Sequence, residues 1–243
     1  MNDTPLISVL IPTYNCAKYI SQAIESVLAQ DYDNLEIIVA DDGSTDDTAD
    51  IVQRIVETRL IASLPNTIHY FHKPHSGISA TRNFALAKAR GELIAWCDAD
   101  DYWLDGKLNA QLEYLAQNAD CQIVYTRFRN VLENDELKNN ERVQYELDAE
   151  KINKMLLTTS LLYRKVFDIT GAFSEALAVN EDAEMNHRFR ISGFSTAHCI
   201  ETDFYCRRLH GNNMTLLQNS GIFQFTRDFF LKSLIKNVQR NYQ

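Results

Sequence analysis

The chain has 243 residues, 45% of them hydrophobic, and a formal net charge of −9. That length suits one large α/β domain whose core needs neither disulfides nor a structural metal. The acidic balance argues against broad binding to nucleic acid or to an anionic membrane, while leaving room for a nucleotide held in a local pocket.

Leu6–Ile11 is a short apolar run ended by Pro12 and reads as a central parallel strand. Asn15 is the expected cap of a helix whose apolar stripe is Tyr19, Ile20, Ala23, Ile24, Val27 and Leu28. Leu35–Ala40 is a second strand. Asp41–Asp46 is a turn and helix start, followed by a stripe of Ile51, Val52, Ile55, Val56 and Leu60. Thr67–Phe71 is a third strand, Lys73–Gly77 a loop, and Ser79–Ala89 an Ala-rich helix that stops at Gly91. Leu93–Cys97 is a fourth, fully apolar strand that runs out into Asp98, Asp100 and Asp101.

Strand and helix thus alternate three times before the fourth strand, which predicts right-handed crossovers and a mostly parallel sheet. In such sheets ligands bind beyond the carboxyl ends of the strands. Pro12–Asn15, Asp41–Asp42 and Asp98–Asp101 all lie at that end, and Arg82 follows the third strand. Asp98 and Asp100 would point the same way in extended backbone. By themselves they read either as helix caps or as carboxylates around a cation.

The second half is less regular. Leu108, Leu112 and Leu115 mark a helix, Cys121–Tyr125 a strand, and residues 133–150 a polar loop or flap. Ile152, Met155 and Leu156 suggest a short helix, and Ser160–Tyr163 a strand. Gly171–Phe173 is a turn, and Asn180–Glu184 opens a helix carrying Met185 and Phe189. Two short strands are expected near Thr196–Ile200 and Asp203–Leu209. The end, Ile222 to Val238, is amphipathic. It reads as a docked helix, with dimer contact or peripheral membrane attachment as alternatives.

The five cysteines form no C-x-x-C pair and read as free thiols of a reducing compartment. With no signal-peptide pattern and no apolar run near the roughly 20 residues of a membrane span, a cytoplasmic protein is expected, with the inner membrane face as a variant of that location. No G-x-G-x-x-G follows the first strand and no P-loop motif occurs, so phosphates are not cradled by glycines. A divalent ion held by one or two carboxylates is the other way to neutralise a diphosphate. A carboxylate at the helix start near Asp182 could serve as general base or could simply favour the helix N-terminus.

The ordered set Ser8–Asn15, Asp41–Asp46, Gly77–Asn83, Asp98–Asp101, Gly171–Phe173, Glu181–Asp182 and Arg208–Thr215 resembles the family 2 glycosyltransferases of the GT-A fold. The resemblance implies a three-layer α/β/α domain with a mixed, mostly parallel sheet. Residues 1–130 would form the nucleotide-sugar half, 131–150 a flexible loop, 151–215 the acceptor and catalytic-base half, and 216–243 a C-terminal amphipathic helix. It implies that Pro12 and Tyr14 line the nucleotide pocket and that Asp41 accepts a hydrogen bond from the base. Arg82 would contact the nucleotide or diphosphate, Asp98 the ribose or the metal shell, and Asp100 would ligate Mn²⁺ or Mg²⁺. Asp182 would be the catalytic base. His210 would lie on a loop closing over the donor, and Gly171, Glu181 and Arg188 would contact the acceptor or support the site. The implied activity is metal-dependent, inverting, non-processive transfer from a nucleotide-diphospho sugar, a UDP-sugar, to a glycan, lipid-linked or protein hydroxyl. A sugar-phosphate nucleotidyltransferase and a non-catalytic nucleotide-sugar-binding protein are the rival readings; the missing glycine-rich phosphate loop weighs against the first, the intact carboxylates against the second.

Overall fold

The computed structural model of the protein describes residues 4–61, 66–141, 143, 144, 146, 147, 156–177, 180–194 and 196–213. Up to Cys97 the elements alternate as the sequence predicts. They are β1 (Ile7–Thr13), α1 (Ile20–Leu28), β2 (Leu35–Asp41), α2 (Thr48–Ile61), β3 (Thr67–His72), α3 (Ile78–Lys88) and β4 (Leu93–Trp96). Beyond it come β5 (Tyr102–Trp103), α4 (Lys107–Gln117), β6 (Ile123–Leu132), β7 (Leu161–Tyr163), α5 (Lys165–Thr170), α6 (Glu181–Ile191) and β8 (Thr196–Leu209).

The strands form one sheet in the order β3-β2-β1-β4-β7-β6-β8-β5. β1 runs parallel to β2 and β4, β2 to β3, and β6 to β8; β7 is antiparallel to β4 and β6, and β5 to β8. The chain moves outward from β1 to β3, then returns to place β4 on the other side of β1. That reversal opens a crevice between the carboxyl ends of β1 and β4. Leu10 pairs with Trp96, so Asp98 emerges level with the end of β1.

Alternation in β1 explains the layers. Ile7, Val9 and Ile11 pack with Ile20, Ala23, Ile24, Val27, Val52 and Leu108 on one face of the sheet. Leu10 packs with Ala85, Trp96, Phe167, Met185 and Phe189 on the other. Each fully buried Ile or Leu in these layers contributes about 1.5–3 kcal/mol relative to exposure. At the opposite end of the strands Glu36, 1% exposed, accepts from Ser8 Oγ at 2.5 Å and from Arg90 N at 2.7 Å. A Cβ on Gly91 would stand 2.6 Å from Ser8 N, so the α3–β4 turn can pass β1 only with glycine there.

Several local expectations change. Asn15 does not cap α1, whose N-cap is Tyr19. Instead Asn15, at φ +51°, accepts from Thr45 N at 2.8 Å and donates its own N–H to Ser44 Oγ at 2.9 Å. Ala17 N donates to Asp46 Oδ2 at 3.0 Å, so the β1 and β2 exit loops are stitched together. β6 runs on to Leu132, and a 3-10 turn at Asp135–Asn139 follows, so the expected loop 131–150 begins inside a strand. The two strands expected near 196–209 are one, and the gap between them is a register shift in which Thr126 pairs with Ile200 and Arg127 with Asp203. The helix expected around Ile152 and Met155 and the C-terminal helix of 216–243 lie outside the described residues. Among the described residues, no helix is long and apolar enough to cross a membrane.

Candidate active site

The crevice between β1 and β4 collects most of the residues singled out in the sequence. On the β1 side Tyr14 is 45% exposed and its ring lies 4.5 Å from that of His75, between centroids. Pro12 is buried within β1 opposite Ala40, so it shapes the wall from behind rather than presenting a surface.

The carboxylate at the end of β2 is Asp41. It is fully buried, accepting from Ser44 N at 2.8 Å and from the Tyr70 hydroxyl at 2.6 Å. Those bonds hold the turn that follows β2. Its neighbour Asp42 clamps the β3–α3 loop: it accepts from Ser76 N and Gly77 N, each at 2.9 Å, and pairs with Lys73 and His75. Burial works to raise the Asp42 pKa, but the Lys73 ammonium and the two amides overcome it and leave it below its ordinary value.

Asp98 and Asp100 do not share a strand face. The backbone turns between them, with Asp101 N donating to Asp98 O at 3.1 Å. Asp98 faces Arg82, whose Nη2 is 3.3 Å from its Oδ1. Asp100 Oδ2 lies 2.9 Å from His210 Nε2 and 3.3 Å from Asn213 Nδ2. Asn212 N donates to His210 Nδ1 at 3.2 Å, which makes Nδ1 the acceptor and leaves Nε2 as the N–H that meets Asp100. Asp101 is no cap for α4, whose N-cap is Gly106. Its buried carboxylate accepts from the Tyr205 hydroxyl and from Arg208 N, each at 2.7 Å, and so ties the β4 exit to β8.

Arg82 stands between the two halves. It is 4% exposed, and its guanidinium lies over the Trp96 and Phe173 rings. Besides Asp98 it pairs with Glu181, Nη1 to Oε1 at 2.8 Å, at the first residue of α6. The pair is poorly aligned as a hydrogen bond, since Nη1 and Nε have no hydrogen-bond partner among the described residues. Asp182 is close enough for its charge to act on Arg82, Asp98 and Glu181. Burial, then the charges of Asp100 and Asp182, raise the Asp98 pKa against the opposing pull of Arg82. Glu181 is raised by burial and by Asp182, again against Arg82. The crevice therefore holds more carboxylate than cation.

Arg188 stays out of the crevice. It donates to the carbonyls of Thr170 at 2.6 Å and Ala172 at 2.9 Å and pairs with Glu184 at 2.7 Å. Gly171, at φ +77°, closes α5 beside it. Both support the seat of α6. As a holder of Asp101, Tyr205 leaves no signal in the sequence, where it sits in ordinary strand alternation, and Arg208 stands out only as the first residue of the motif Arg208–Thr215. Cys16 carries a thiol pushed up to about 12 by burial and by Asp100, so it is no nucleophile.

The profile of Glycosyl transferase family 2 matches residues 8–175, more than half of the chain. The chain belongs to that family. An uncharacterised glycosyltransferase of Rickettsia felis is 31% identical to this family 2 chain over 218 residues, covering 85% of the chain and 34% of its own length. The chain thus spans about a third of that curated relative. Among solved structures, S. aureus TarS 1-349 in complex with UDP-GlcNAc matches with a TM-score of 0.65 at 22% identity, covering 88% of this chain and 61% of TarS 1-349. The mannosyltransferase PcManGT from Pyrobaculum calidifontis, in complex with GDP-Man and Mn²⁺, matches with a TM-score of 0.66 at 22% identity, covering 87% of this chain and 59% of its own. At those identities the likeness establishes the fold, which is the mixed-sheet GT-A architecture expected.

Proposed function

We propose that this family 2 chain transfers a sugar from a nucleotide-diphospho sugar, a UDP-sugar, to an acceptor hydroxyl with inversion at the anomeric carbon. The observation that carries this reading is the gathering of Asp98, Glu181 and Asp182 around buried Arg82, with Asp100 close to Asp98, at the crevice between β1 and β4. Neighbours of the same fold are complexes with UDP-GlcNAc and with GDP-Man and Mn²⁺, which supports a nucleotide sugar as donor.

In this reading Tyr14 and His75 provide the exposed rings against which the base lies. Asp98 and Asp100, with His210 beside them, would hold Mn²⁺ or Mg²⁺. The donor set fits: carboxylates in excess of cations suit a hard divalent ion, and His210, whose Nε2–H meets Asp100, orients one of them. No three such side chains converge among the described residues, so phosphate and water oxygens would complete the shell. When bound, the ion offsets the charge that builds on the departing diphosphate. Asp182, on the first turn of α6, takes the proton of the acceptor hydroxyl as it attacks the face opposite the leaving group. A single displacement of that kind inverts the centre. Arg82 fixes Glu181, and with it the turn that carries Asp182.

Thermal shift with UDP and GDP, each with and without Mn²⁺, tests the reading. UDP with Mn²⁺ is expected to stabilise by about 2.7 kcal/mol at a hundredfold excess over Kd, and UDP alone by less. Silence toward every nucleoside diphosphate would sink it, and pyrophosphate release from a nucleoside triphosphate plus a sugar phosphate would point to a nucleotidyltransferase instead. Asp100→Ala is expected to remove the metal-dependent part of the shift; if that part survives, Asp98 holds the ion alone.

A further inference from the structure

By its spacing Tyr19 belongs to the apolar stripe of α1, but the structure turns it elsewhere. Ile20, Ala23, Ile24 and Val27 carry the buried face of that helix. Tyr19, its N-cap, is set by a bond from its own N–H to Cys16 O at 2.9 Å and faces the rim of the crevice. Its ring stacks on the His210 ring, 4.9 Å between centroids and 28° between planes. The Arg208 guanidinium lies 5.1 Å from the same Tyr19 ring. The Tyr19 hydroxyl donates to Glu133 Oε1 at 2.6 Å, and Lys18 pairs with that same carboxylate. Glu133 follows β6, and its N–H donates to Leu209 O at 3.0 Å, next to His210. Three stretches far apart in sequence, at 18–19, 133 and 208–213, therefore meet at one ring.

We propose that Tyr19, braced by Glu133, is a positioning residue for the transfer reaction: it holds His210 in the orientation that presents Nε2 to Asp100. This rests on the reading of Asp100 and His210 as groups of the donor site. The local bonds of the 210–213 turn, His210 N to Asn213 Oδ1 at 2.5 Å and Asn212 N to His210 Nδ1, fix which ring nitrogen carries the proton. They do not fix where the turn sits relative to β1 and α1. The Tyr19 stack and the Glu133–Leu209 bond supply that, tying the turn to the start of α1 and to the end of β6. Glu133 is the anchor. The Lys18 ammonium and the Tyr19 hydroxyl draw its carboxyl below the ordinary range, so it stays an acceptor at neutral pH.

The test uses the full chain with three variants. Tyr19→Phe keeps the ring and loses the bond to Glu133; Tyr19→Leu loses both; His210→Ala removes the group being positioned. In the metal-free protein, ring ¹⁵N–¹H correlation spectra should show the His210 Nε2–H held in its bond to Asp100 and slow to exchange with solvent, faster to exchange in Tyr19→Phe, which has lost the brace to Glu133, and fastest in Tyr19→Leu. In titrations of UDP with Mn²⁺, Tyr19→Leu should weaken binding about three- to tenfold, the range expected for losing one aromatic pair. The same substitution added to His210→Ala should cost nothing more. An unchanged His210 signal in Tyr19→Leu, or an equal loss of affinity with and without His210, would overturn the proposal. Failure of the wild-type chain to bind any nucleoside diphosphate would instead refute the donor-site reading, and the ring spectra would still decide whether Tyr19 positions His210.

Discussion

Asp182→Asn is expected to lower the rate of sugar transfer by about 10²- to 10⁴-fold, the span of a lost general base, with UDP affinity unchanged. The amide keeps the shape and the acceptor oxygen, so the bond from Ala183 N to Oδ1, 2.7 Å in the native chain, can persist. What disappears is the ability to take a proton and one negative charge beside Asp98 and Glu181. Both of those carboxyls are raised partly by Asp182, so both should titrate lower in the variant. The fold should therefore be no less stable, and any loss of rate is a loss of chemistry. Initial rates of UDP release, measured beside a thermal-shift titration with UDP and Mn²⁺, separate the two. Retained transfer would remove Asp182 from the base role, and joint loss of binding and transfer would make it a structural residue of the α6 turn.

Arg82→Met is expected to destabilise the protein by about 3–5 kcal/mol at neutral pH, the usual effect of stripping one partner from a buried ion pair. Methionine fills much of the slot between Trp96 and Phe173, so the packing loss is modest. The electrostatic loss is not: Asp98 and Glu181 would face Asp182 with no cation among them. The pH dependence follows from sign. The folded pKa values of Asp98 and Glu181 already lie above their ordinary values, and without Arg82 they rise further. A carboxyl with a raised folded pKa favours the folded state fully only below its unfolded pKa, and that contribution is lost as pH rises through the folded value. The gap between variant and native chain should thus be widest at neutral pH and should narrow as pH falls toward the ordinary carboxylate range near 4. Urea unfolding of both chains across that range measures it. A gap independent of pH would mean that Arg82 acts through packing alone.

The carboxylates show how far the sequence could be read. Asp41, Asp42, Asp98, Asp100, Asp101 and Asp182 all stand at strand ends or a helix start, where the topology predicts a site. Their tasks divide only in three dimensions. Asp41 and Asp101 are sealed into hydrogen bonds with Tyr70 and Tyr205, whereas Asp98 and Asp100 keep exposed surface, 34% and 26% of the side chain. Nothing in the run Asp98-Ala-Asp-Asp101 distinguishes the third aspartate, because its partners lie on β8, more than a hundred residues away. Tyr19 departs from its expected place for a similar reason: an aromatic at helical spacing reads as core unless a ring from another part of the chain claims it.

By itself the sequence determined the alternation of strands and helices up to Cys97 and the motifs at the carboxyl ends of those strands, while the reversal of strand order that opens the crevice belongs to the tertiary structure. The alternation and its strand-end motifs follow from local periodicity and from the handedness of βαβ units, both written in neighbouring residues. The tertiary structure alone decided which carboxylates face the crevice, that Arg82 spans its two halves, and that Tyr19 meets His210. Each is a contact between side chains far apart in sequence, and burial and charge pairing of that kind exist only once the sheet has brought them together.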